Sequence, residues 1–391
     1  MEAINGKDYP MKFLRITVTV VALLLVVCIL ALACLAIFVD PNKLKPALTE
    51  AVKKRTGYQL TIDGDLSWAF YPHISVKIKH MSLSEPNQTQ AFLDLTDVKM
   101  AVGLSALLHG DKKLNGNLHI AHVQMGNIKA EQVSVDMHWQ DRVLTLDPIS
   151  AKLYQGSFTG LAHGRFDNVS QWDWNVSFDN IQLQALLADL KTTSKLSLSG
   201  LGQVKMNMAT QGQDKASFLN ALNGTAELKI TNGLIDGINL NYLVQTAKAL
   251  LNKQAEPAAQ PDNLQQTAFD SLSSSAVIKQ GVITTNNILL LAPAFLATGE
   301  GSLALNTQAI DMKLQVKPQQ NNMPASVPPS WTIPILVQGN LDHPDIKLNM
   351  GDIRAMLLKQ EIDKVKEKAR EVIKAHIPGK AGAFLQNLLS G

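Results

Sequence analysis

Apolar and polar positions alternate along most of this chain. In VSVDMHW (133–139), Val133, Val135, Met137 and Trp139 fall on one side, and Ser134, Asp136 and His138 on the other. A period of two marks a strand with one apolar and one wetted face. The same writing recurs at Leu60 and Ile62, at Ile74, Val76 and Ile78, and at Leu118 and Ile120. After Ile120 the phase slips within HIAHV, as a bulge would cause. Leu144 and Leu146 follow, then Trp172, Trp174, Val176 and Phe178, then Val204, Met206 and Met208. Ala226, Leu228 and Ile230 come next, then Ile310, Met312, Leu314 and Val316; Trp331 to Val337 and Ile346 to Met350 close the series. Turn-forming runs such as DGD, GDKK, NGN, SGLG, TNG and TGEG separate these stretches. The pattern predicts a mainly β chain of roughly sixteen to twenty strands.

Helical spacing is sparse. DPNKLKPALTEAVKKRTG (40–57) puts Leu44, Leu48 and Val52 on one face, with Lys53, Lys54 and Arg55 suited to the C-terminal dipole and Gly57 to the stop. Short helices are predicted over 103–110, 181–191 and 215–224. A longer one covers 237–253, with Leu240, Val244, Ala247 and Leu251 on one face. Stretches 252–266 and 318–331, rich in Pro, Gln and Asn, read as surface loops. Residues 352–377 form a mixed-charge helix with Ile353, Leu357, Val365, Val372 and Ile373 near one stripe, and 383–389 a shorter amphipathic piece. The stripe carries no aromatic before Phe384, so a lid packed on the end of the sheet is expected, and a helix on a membrane or partner surface is the alternative.

One segment breaks both periods. Residues 16–39 contain no charge, and about 24 helical residues span roughly 36 Å, enough to cross a bilayer. A cleaved leader has an apolar core of only about 7–15 residues. Here the run continues through Leu35, Ile37 and Phe38 beyond the small-residue stretch ALAC, so a single-pass anchor is expected. Basic residues lie on both sides of it, and charge alone leaves the orientation open.

Composition narrows the chemistry. The chain is 46% hydrophobic and 18% charged, which suits an ordered protein. Its net charge is +3 with no basic stripe interleaved with aromatics, so nucleic acid is not an expected partner. Both cysteines, Cys28 and Cys34, lie in the apolar run. Asp63 and Asp65 flank Gly64 in what reads as turn chemistry, and His119 and His122 have no Cys or carboxylate at ligand spacing. The paired glycines of GEGSLAL and GLGQVK do not join a strand to a helix, and no GxSxG elbow is present. The expectation is a non-enzymatic protein without metal or cofactor. What covers the apolar faces is then the central question, and on the residues alone two ordinary β-sandwiches answer it.

A resemblance changes that answer. FVDPNKLKPALTEAVKKRTGYQLTIDGDLSWAFYPHISVKIKHMSLSEP (38–86) resembles the N-terminal region of the bacterial AsmA family, and VKMAVGLSALLHG (98–110) the strand and small helix that follow there. Residues 222–250, 269–306 and 333–349 resemble the family's C-terminal region, whereas 136–195 carry no matching motif. The resemblance implies an inner-membrane anchor with a cytoplasmic N-terminus and a periplasmic body, related to chorein-type bridge-like lipid transfer proteins. The implied fold is mainly β: an elongated, curved antiparallel sheet forming an apolar groove, with a C-terminal amphipathic helix. The implied organisation is a cytoplasmic N-terminus (1–15), an anchor (16–39), a family-like N-terminal region (40–135), a connecting β segment (136–195), a family-like C-terminal β region (196–350) and a helical tail (351–391). The expected ligand is phospholipid, carried passively, with outer-membrane or periplasmic proteins as further partners. The groove-facing positions would be those of the alternating strands: Leu60, Ile62, Ile74, Val76 and Ile78; Leu118, Ile120, Val133, Val135 and Met137; Val204, Met206, Met208, Leu228 and Ile230; Met312, Leu314 and Val316. The alternative is a scaffold for outer-membrane protein assembly. A carbohydrate-active enzyme using Asp63 and Asp65 is the remote third.

Overall fold

The structure is a computed structural model and describes residues 41–69, 75–86, 88, 90–102, 113–190, 196–251, 265–319 and 332–376. The predicted span 16–39 and the helices at 103–110 and 383–389 lie outside the described residues, as does Ile74. Among the described residues no helix is long and apolar enough to cross a membrane.

The strands are β1 (Gln59–Asp63), β2 (Ser67–Ala69), β3 (Ser75–Ser84), β4 (Ala91–Val102), β5 (Lys113–Met125) and β6 (Ile128–Gln140). There follow β7 (Val143–Leu153), β8 (Gly156–Phe166), β9 (Ser170–Gln182), β10 (Ser197–Gly212), β11 (Asn223–Asp236) and β12 (Gln266–Lys279). The last are β13 (Val282–Ala292), β14 (Phe295–Ala304), β15 (Ala309–Pro318), β16 (Ile333–Asn340) and β17 (His343–Leu348). A 3-10 turn (Pro41–Leu44) leads into α1 (Lys45–Thr56); the other helices are α2 (Leu183–Leu190), α3 (Lys215–Asn220), α4 (Leu240–Leu251) and α5 (Met350–His376).

Among the described residues, all 17 strands belong to one antiparallel sheet. From β3 onward each strand pairs with the one before it and the one after it. β1 and β2 share the outer edge of β3, along Ser84–His80 and Lys77–Ser75 respectively. Segment 136–195 is continuous with the rest, through β6 to β9. About sixteen rows at 4.8 Å give a sheet roughly 75 Å long. One long open sheet therefore replaces the two sandwiches that the residues alone suggest.

Long strands keep one apolar face by slipping phase together. Leu93 and Leu95 give way to Val98 and Met100 on β4, and Leu118 and Ile120 to Val123 and Met125 on β5, all turned to the same core. The ladders skip at Asp97, Ala121 and Gln132, and Asp97 and Gln132 adopt φ of 52° and 51°. The slip in HIAHV is thus one point on a crease crossing several strands.

The antiparallel meander sorts the helices. α1 precedes β1, α2 follows β9, α4 joins β11 to β12 and α5 follows β17, so all four stand on one long rim. Among the described residues, α3 alone of the helices lies on the opposite rim. Two cores result. The first joins Leu48 and Val52 of α1 to β1 and β3–β7; the second joins Leu240, Val244 and Ala247 of α4 and Ile353 of α5 to β11–β16. The buried Thr267 of β12 fixes the start of α4: its Oγ1 accepts from the Leu240 N–H at 2.9 Å and donates to the Ile238 carbonyl at 2.8 Å. That same first turn faces His343–Ile346 of β17 across a cleft of about 660 Å³. A flat sheet would hold β12 and β17 about 24 Å apart, so the C-terminal half curls around α4.

The expected lid is realised only at its root. Ile353 and Leu357 of α5 pack into the second core, while Leu358, Ile362, Val365 and Val372 face solvent.

Candidate functional site

The alternating positions converge on one face of the sheet, and the structure divides them. Leu60, Ile78, Leu118, Ile120, Val135 and Met137 are buried in the first core, and Ile230 and Val316 in the second. Ile62, Val76 and Val133 pack at the margin of the first, Leu228 and Leu314 at that of the second. Val204, Met206, Met208 and Met312 are half-buried and belong to neither.

Val204, Met206 and Met208 belong to a strip between the cores on β8–β11, whereas Met312 sits on β15 opposite Gly301 and Val337. Phe178 of β9 lies opposite Val204, Val176 opposite Met206 and Trp174 opposite Met208. On the other side the same three residues meet Phe158, Gly160 and Ala162 of β8. Leu228 and Ala226 extend the rows into β11. The rings of Phe158 and Phe178 sit 4.9 Å apart. Glycine makes room for the large side chains: a Cβ on Gly160 would lie 2.8 Å from Val176, and one on Gly164 2.8 Å from the Trp172 ring. The result is an apolar floor, half open to solvent, bordered on each side by a closed core. Its reverse face carries exposed Lys205, Asn207, Glu227 and Lys229.

Phe158, Trp174, Val176 and Phe178 were absent from the expected groove set. The alternation of Trp174, Val176 and Phe178 marks β9 as a strand, but all four sit in the segment without a family motif, and only register brings them to the rows of Val204, Met206 and Met208. At the rim near this strip, α2 is tied to the sheet by Tyr154, whose hydroxyl donates to Asp189 Oδ2 at 2.9 Å, and by Asn127 Nδ2, which donates to the Asp189 carbonyl at 3.2 Å. Burial first, and the Asp189 carboxylate second, push the Tyr154 hydroxyl up to about 12.

The polar candidates lie apart from this floor and from one another. Asp63 accepts from His80 at 2.7 Å, whereas Asp65 sits 3.8 Å from Lys45, so the two carboxylates do not converge. His119 and His122 flank the slip at Ala121 and lie opposite Lys99 and Thr96. Among the described residues no group of three or more His, Cys, Asp or Glu side chains gathers to hold a metal.

The chain matches the AsmA family model over residues 11–116 and 110–288. It is also similar to Protein AsmA of Escherichia coli (strain K12), at 33% identity over 95 residues; that stretch covers 24% of this chain and 15% of the relative's length. No solved structure matches. The family match spans more than half of the chain and takes in the apolar run, the first core and the half-open strip: the chain belongs to the AsmA family.

Proposed function

We propose that this chain is an envelope protein, anchored in the inner membrane by residues 16–39, whose periplasmic sheet holds phospholipid acyl chains and lets them move along it. The observation carrying this reading is the half-open apolar floor on β8–β11, continuous with both cores and backed by a charged reverse face. Each methylene removed from water there contributes about 0.8 kcal/mol, so one acyl chain supplies ample driving force. The floor offers dispersion contacts rather than fixed polar partners, so it favours alkyl length over headgroup. Methionines at Met206 and Met208 adapt to a moving chain. Within β8–β11 each strand presents a comparable apolar row, so a shift across the floor needs no chemical step. The headgroup stays on the open side, in water.

The test is a photo-reactive residue placed at Met206, or at Lys205 on the reverse face, of the full chain in native membranes containing radiolabelled phospholipid. Adducts at 206 and none at 205 support the reading. Equal labelling at both positions, or none at 206, overturns it. Introducing Val204→Asp with Met206→Asp should reduce copurifying phospholipid at least several-fold while the thermal transition persists. The scaffold reading draws on a different feature, the exposed stripe of α5.

A further inference from the structure

α5 carries two apolar stripes, and the sheet uses one of them. Ile353, 1% exposed, and Leu357 anchor the first two turns in the second core. The other stripe remains in solvent: Leu358 is 66% exposed, Ile362 55%, Val365 65% and Val372 58%. With Ala369 these residues step by four, three, four and three positions, the 3.5-residue repeat of a coiled-coil seam. At 100° per residue they occupy an arc of about 80°, narrower than the face of a helix lying on lipid or on a broad core. The stripe carries no aromatic anchor of the kind that interfacial helices use.

The charges beside the seam are uneven. Arg354, Lys359, Lys366 and Lys368 flank it, against Glu361, whereas Glu367 and Glu371 lie on the far side of the helix. A second copy fits poorly. A parallel pair sets Arg354 against Lys359 and regains only Glu361 against Lys366, leaving Lys368 without an acidic partner, and an antiparallel pair sets lysine against lysine along one flank. A helix with acidic flanking positions satisfies the same lysines while burying the apolar row.

We infer that residues 355–376 of α5 are a docking seam for a partner helix that presents an apolar heptad row between acidic flanks. The inference goes beyond the lipid reading and does not depend on it. α5 leaves the sheet at β17, at the end opposite α1, so the partner docks at the end of the sheet remote from the segment that enters from the N-terminal apolar run.

Two synthetic probes test this: three-heptad peptides with Ile and Leu in the seam and either glutamate or lysine at every flanking position. Fluorescence anisotropy would measure each against the full chain in neutral phosphatidylcholine nanodiscs. The acidic peptide should bind at least tenfold more tightly than the basic one. Combining Lys359→Glu, Lys366→Glu and Lys368→Glu should reverse that preference, and Leu358→Asp with Val365→Asp should abolish both. All five side chains lie outside the cores, so an unchanged thermal transition separates lost docking from lost folding. Absence of binding, or binding that the charge exchange does not reverse, overturns the inference. So does disulfide-linked dimer as the main product of Val365→Cys, which would assign the seam to a second copy. Stripe-dependent uptake by phosphatidylcholine–phosphatidylglycerol vesicles at 3:1, without peptide preference, would assign it to a membrane surface.

Discussion

His80 stands between two carboxylates on neighbouring strands, its protonated ring donating at 2.7 Å to Asp63 Oδ2 and at 2.8 Å to Asp94 Oδ2. Asp94 first, and Asp63 second, raise its pKa above the ordinary 6.5. A histidine raised on folding gives its full stabilisation below its unfolded value and loses it as pH climbs through the folded one. His80→Gln should therefore lower the thermal midpoint most below about pH 6.5, with the gap from the parent closing on the alkaline side. The site is solvent-screened, so the effect should stay within about 1 kcal/mol. Thr267 is a stronger case because it is buried and serves two backbone groups. Thr267→Val leaves the Leu240 N–H and Ile238 carbonyl without that partner and should cost about 1–3 kcal/mol in denaturant midpoint. Thr267→Ser should recover most of it.

At the scale of elements, helices and strongly alternating strands were legible, because their periodicity is carried by large apolar residues. Stretches 181–191, 215–224 and 237–253 resolve into α2, α3 and α4, and Val133–Trp139 into the inner row of β6. β8 and β14 were not legible from alternation, because their inward positions are largely glycine or alanine. Their glycines lie beneath bulky neighbours from the next strand: a Cβ on Gly299 would fall 2.5 Å from Leu314 Cδ2, and one on Gly301 2.5 Å from Met312 Cγ. That complementarity lives in register, which a linear pattern does not display. Gly299→Val should cost about 1–3 kcal/mol by overpacking, and adding Leu314→Ala should recover part of it, a coupling that a double-mutant cycle measures. The same limit applies to α5 and to the candidate floor. Sequence reveals apolar stripes on a helix, and it does not reveal which stripe a core will claim. It likewise leaves Trp174 and Phe178 as strand residues until pairing sets them beside Met208 and Val204.

For the whole molecule, the two cores share no residue and are joined through the strands that carry the half-open floor. Such a sheet behaves as a row of nearest-neighbour units, so damage should stay local. Leu118→Ala, in the first core, should cost about 2–5 kcal/mol. Hydrogen exchange should then speed up across β3–β7 and remain unchanged across β12–β16, whereas a single cooperative unit would lose protection in both. The strand order has a further consequence for how the molecule is made. From β4 onward every strand finds its partner in the strand synthesised just before it, so the sheet can lengthen row by row as the polypeptide is delivered, without waiting for distant segments. The newest row always exposes an unpaired edge. A nascent chain that stalls therefore presents a sticky margin wherever it stopped, and uninterrupted delivery is itself a protection against aggregation.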